Sequence, residues 1–180
     1  MGARPHRARR LTRVDVGATR LLEQILAFLG EIGVVAREQP IDEATFLPGI
    51  RVTAGTLVFD RARLRWPADL LHEAAHVALT PQARRAALDD ALEAEPPDAI
   101  GEVEAIAWSF AATTHLDVPL DQLFHADGYH GHSQGLALAY SLGVHHGAAG
   151  LAALGLCAVG AEAQRLGVRA YPHMLRWLRD

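Results

Sequence analysis

A chain of 180 residues with 50% hydrophobic and 21% charged side chains has material for one sizeable core and no need of a second. A net charge of −4 at pH 7 excludes a general attraction to nucleic acid or to an anionic membrane surface. The single cysteine, Cys157, excludes an internal disulfide and a cysteine-based zinc site, and it points to a reducing cytoplasm.

In chain order, residues 1–13 hold five arginines with no apolar stretch behind them, so they read as a basic, disordered arm and not as a secretion signal. Residues 14–180 read as one domain. Residues 17–33 predict an amphipathic helix whose stripe is Leu21, Leu22, Ile25, Leu26, Phe28, Leu29 and Ile32, stopped by Gly33. Residues 50–59 alternate apolar and polar side chains and are rich in β-branched ones, with Gly55 marking a turn or bulge between two short strands. Pro67 suits the first turn of a further helix, which Thr80-Pro81 stops. Residues 82–97 are polar and end in Pro96-Pro97, predicting a short helix and a mobile flap. Asp98 is placed to cap a helix to about Leu116, closed by Asp117-Val118-Pro119. Residues 135–160 are apolar and glycine-rich, but His145 and His146 interrupt them, which favours two packed helices or one buried helix over a membrane span.

The sharpest motif is His72-Glu73-Ala74-Ala75-His76 inside an apolar run. On a helix the two histidines lie four positions apart on one face, ~6 Å from each other, and can grip one ion. Glu73 beside them is placed to take a proton from a water on that ion. Shuffling this composition would produce such a string only ~0.03 times per chain. A catalytic zinc wants a third protein ligand, and Glu102 and Glu104 are both candidates. They stand about 200° apart on a helix, so only one can face the metal. Glu104 shares a face with Trp108, Ala111 and His115, and Glu102 with Ile106 and Ser109; periodicity does not choose between them. Asp69 could orient a ligand imidazole or be a first-turn acid, and His115 reads as a helix-end histidine. Residues 125–132 (His-Ala-Asp-Gly-Tyr-His-Gly-His) read as a loop able to offer Tyr129 or a histidine as a donor to an oxyanion.

The order helix, strands, H-E-x-x-H helix, loop and glutamate-bearing helix resembles the ImmA/IrrE group of zinc metallopeptidases. That group's third-ligand helix follows E-x-x-A-x-x-F-A-A, and this chain reads Glu104-Ala-Ile-Ala107-Trp-Ser-Phe110-Ala111-Ala112, beginning 32 residues after His72. The resemblance covers about a third of the chain. Ala75 stands where the group often has glycine, and Thr113-Thr114-His115-Leu116 where it tends to an apolar stretch ending in proline.

The resemblance implies an α+β, zincin-like fold, mostly helical, with a small sheet before the motif helix. It also implies Zn²⁺ held by His72, His76 and Glu104, with Glu73 as the base. The expected activity is hydrolysis of a peptide or of a loop of a partner protein through a zinc-bound water, with no nucleic-acid or membrane partner. The alternative is a catalytically silent regulatory or interaction protein in which zinc is structural and all four positions are filled.

Overall fold

The computed structural model describes residues 13–89 and 101–180, with side chains from residue 17 onward. Residues 1–12 of the basic arm, the Pro96-Pro97 flap and the expected cap Asp98 lie outside the described residues, and Arg13 belongs to the first helix.

The first helix, α1 (Arg13–Ile32), begins earlier than the apolar stripe indicates. It buries the expected side: Leu22, Ile25, Phe28 and Leu29 are nearly inaccessible. Two strands follow at the expected place, β2 (Ile50–Thr53) and β3 (Thr56–Phe59). They pair antiparallel, with Ile50 opposite Phe59. The turn between them is Ala54-Gly55, both with positive φ (48° and 70°), which matches the right-handed twist of the strands it joins.

A third strand, β1 (Ala36–Glu38), was not legible in the sequence. It runs parallel to β3 and completes a sheet of order β1-β3-β2. Three residues reading Ala-Arg-Glu carry no alternation; the pairing comes from the end of α1 delivering the chain beside β3, where Leu57 N–H donates to Val35 O at 2.9 Å.

The motif helix α2 (Asp69–Leu79) follows, ending at Thr80 as expected, then a single turn, α3 (Gln82–Arg85). Helix α4 (Glu102–His115) starts three residues later than a cap at Asp98 would have placed it. It lies along α2, and the contact is small-residue packing: Ala74, Ala75 and Ala78 on α2, Ala105 and Ala112 on α4, all fully buried. Ser109 shows how close the helices come, since its Oγ lies 2.7 Å from Ala105 O in its own helix and 3.2 Å from Leu71 O in α2.

The remaining elements are short: α5 (Leu120–Leu123), a single 3₁₀ turn at Tyr129–Gly131, α6 (Ser133–Ser141), α7 (Ala148–Ala153) and α8 (Gly160–Leu166). The apolar stretch at 135–160 thus becomes two helices. Among the described residues no helix is long and apolar enough to cross a membrane. The C-terminal segment returns across the helix pair: Tyr171 Oη donates to Ala107 O at 2.9 Å and Arg179 N–H to Ala78 O at 2.9 Å. The fold is α+β, mostly helical, with its small sheet ahead of the motif helix.

Candidate metal centre

Pro67 and Asp69 open α2 so that its apolar residues Leu70, Leu71, Ala74 and Val77 face inward and its histidines fall on the remaining side. The Nε2 atoms of His72 and His76 are 3.3 Å apart, with the rings nearly perpendicular at 79°. Both side chains are half-buried.

The carboxylate that joins them is Glu102, not Glu104. Its Oε1 lies 3.0 Å from His72 Nε2 and its Oε2 3.5 Å from His76 Nε2. The reason is the face of α4 that packs on α2. Ala105, Ser109 and Ala112 define it, and Glu102 continues that line to the helix start. Glu104, about 200° away, must point elsewhere. It points at α7, where a Cβ on Gly150 would overlap its carboxylate. The alanine flank that made Glu104 attractive, Ala107 and Ala111, is buried too, but Ala107 receives the Tyr171 hydroxyl and not α2.

The two imidazole nitrogens stand 3.3 Å apart, and the two carboxylate oxygens of Glu102 lie 3.0 Å from one and 3.5 Å from the other, spacings close to those between the ligands of a zinc ion. Ligands ~2.0–2.1 Å from a tetrahedral zinc stand about 3.3 Å from each other, the edge of that tetrahedron. Without a cation, two imidazole nitrogens and a carboxylate this close have to share protons to avoid facing lone pairs. The donor set therefore fits Zn²⁺: two neutral nitrogens, one negative oxygen and no sulfur. Among the described residues, His72, His76 and Glu102 are the histidine and carboxylate group of metal-binding size. Hydrogen bonds from His72 and then His76 hold the Glu102 carboxyl well below the usual carboxylate range, although more than half of its side chain is exposed to solvent, which weakens the effect.

The motif's Glu73 is half-buried next to His72. Tyr129 brings the 125–132 loop to the site: its ring meets His72 edge-on, with centroids 5.6 Å apart. Burial, reinforced by the nearby charges of Asp69, Glu102 and Glu73, pushes its hydroxyl far above the ordinary phenol range, so it stays protonated. His72 Nδ1 is buried with no hydrogen-bond partner, so the polar contacts of this ring run through Nε2, toward Glu102 and His76.

No family model, no curated protein and no solved structure matches this chain.

Other candidates have different roles. Asp69 does not touch a motif histidine; its Oδ1 lies 2.8 Å from Nε2 of His125, and both residues are buried. This pair, 56 residues apart, left no local signal. His115 packs against both Phe28 and Trp177 at the far end of α4 and takes no part in the site. Cys157 is buried, and desolvation pushes its thiol up to about 11, leaving it un-ionised near neutral pH.

Proposed function

We propose that this chain is a zinc-dependent metallopeptidase in which His72, His76 and Glu102 hold the metal and Glu73 is the general base. The observation that carries the reading is the close group of two imidazole nitrogens and the Glu102 carboxylate, built from two helices, with the motif glutamate beside it.

Zinc, when bound there, supplies a Lewis acid that lowers the pKa of a water toward ~7 and polarises an amide carbonyl. The chain supplies the rest. Glu102 brings one negative charge that offsets part of the ion's two, leaving the site electrophilic. Glu73 takes the proton of the attacking water on a carboxylate oxygen and returns it to the departing amine nitrogen. Tyr129, kept protonated by burial, is the hydroxyl donor we assign to the carbonyl oxygen as charge develops on it.

The rival reading, a structural zinc with four protein ligands, needs a further donor. The 125–132 loop was its most natural source, but His125 is engaged by Asp69 and His130 packs against the Phe46 ring. Among the described residues the group has three donors, which supports a fourth position left to water. A peptide or protein-loop substrate and a cytoplasmic setting belong to the same proposal.

The test combines metal analysis with one isosteric variant. Purified protein should carry about one zinc per chain, and Glu73→Gln should lose ~10²-fold or more in peptide hydrolysis while its zinc content stays at the wild-type level. A protein that takes up no zinc from excess, or hydrolysis unchanged in Glu73→Gln, would refute the reading.

A further inference from the structure

We propose that the buried Asp69–His125 pair is a clasp that docks residues 124–133 on the start of α2 and so sets Tyr129 against His72, which makes His125 a positioning residue for the site. The consequence for catalysis rests on the metallopeptidase reading; the docking itself does not.

The clasp is built from several contacts. His125 is 4% exposed, and its Nε2 lies 2.8 Å from Asp69 Oδ1. Its ring stacks on the Trp66 indole, with centroids 4.4 Å apart and planes 4° from parallel. The other ring nitrogen is buried without a partner, so the bond to Asp69 is the polar tie that decides where the ring sits. Gly128 lies against the same ring, where a Cβ would be 3.1 Å from Cε1 of the imidazole. Flanking ties come from Trp66 Nε1, which donates to Asp127 Oδ2 at 3.1 Å, and from Arg65, 3.2 Å from the same oxygen. Ser133 Oγ closes the segment by donating to Gly128 O at 3.0 Å.

The backbone supplies an independent reason for a clasp. Tyr129 and His130 both have φ of 51°, in the left-handed region that non-glycine residues rarely occupy. Two successive strained residues persist only where surrounding contacts hold them. The strain falls on the residue whose ring meets His72, and Asp69 precedes His72 by one helical turn. One short stretch of α2 therefore carries both the anchor for the loop and the histidine the loop must reach.

Backbone hydrogen exchange in the full-length protein tests this with or without zinc. Gly128, Gly131 and His132 donate N–H bonds within the segment and report its opening. His125→Ala and Asp69→Ala should each raise exchange at these amides ~10-fold or more, while the buried amides of α1 and α4 keep wild-type rates. Asp69→Asn, which retains Oδ1 as an acceptor, should keep the loop protected. The double variant Asp69→Ala/His125→Ala leaves no buried charge behind, and it decides the matter if a single variant fails to fold. In peptide hydrolysis, His125→Ala should lower kcat as Tyr129→Phe does, with KM and zinc content near wild type. Unchanged exchange in the alanine variants, a rise shared by the core helices, or an Asp69→Asn loop as open as that of Asp69→Ala would overturn the clasp. A wild-type protein without hydrolysis would remove the metallopeptidase reading, and the exchange pattern would still decide the docking.

Discussion

The two ends of α4 place ionisable side chains in opposite company. At the first turn Glu102 leans over α2 and meets two imidazole nitrogens within 3.5 Å. At the last turn His115 lies against the rings of Phe28 and Trp177, with centroids 5.6 and 5.5 Å away. The first end gathers polar atoms that need a cation or shared protons. The second belongs to an aromatic cluster in which Trp108, fully buried, packs on Phe28 and Trp177 and donates its Nε1 proton to Trp177 O at 2.9 Å. A helix-terminal histidine or glutamate thus joins a polar cluster or an aromatic one according to what the neighbouring element presents to it.

If this contrast is right, breaking the aromatic end should cost stability and spare the metal. Trp108→Ala should lose about 3–5 kcal/mol in denaturant unfolding through the cavity it leaves. Zinc affinity of the folded fraction should remain near wild type; a large fall would mean that the two ends are coupled along α4.

The polar end should answer in the opposite sense, with the two first-turn glutamates separating. Glu102→Gln should weaken zinc binding at least ~10-fold in a competition titration, whereas Glu104→Gln, whose carboxylate rests over Gly150, should stay within about twofold of wild type. The reverse ranking would return the ligand to Glu104 and undo the arrangement described here.

A smaller effect is expected at His115. Replacing it with Gln removes ring contacts only, so stability should change by less than ~1 kcal/mol and zinc content not at all. A measurable loss of zinc in His115→Gln would show that the aromatic end reaches the metal.

The smallest effect concerns pH in the metal-free protein. The Glu102 carboxyl is held below its ordinary 4.5 by the two histidines, so the stability it contributes is present above that value and is lost as pH falls toward the lower folded one. The Tm advantage of wild type over Glu102→Gln should therefore shrink on acidification from about pH 6 to about pH 3, and a difference that grows instead would contradict the hydrogen-bonded carboxylate.

Much of the frame was legible because its signals are local. The stripe of α1, the alternation and Gly55 turn of the hairpin, and the helix bounded by Pro67 and Pro81 each follow from neighbours within one or two turns of chain. The choice between Glu102 and Glu104 was not of that kind. The fragment E-x-x-A fits Glu102 with Ala105 as well as Glu104 with Ala107, and only the longer aromatic and alanine pattern favoured Glu104. One clue did point the other way: Ser109, a polar residue in an apolar stretch, lies on the Glu102 face and reaches across to the Leu71 carbonyl. Strand β1 and the Asp69–His125 pair gave no warning, since neither has periodicity and both join segments distant in the chain.

By itself, then, the sequence determined the helical pair of imidazoles with a glutamate between them, because a fixed spacing of four on a helix is a matter of backbone geometry alone. Which carboxylate completes the group, and which loop residue stands over it, were decided only by the tertiary structure. Both depend on the rotation of α4 about its axis when its small side chains settle against α2, and on the anchoring of residues 124–133 to Asp69. Rotation and anchoring are set by packing between distant segments, for which no local pattern of residues exists.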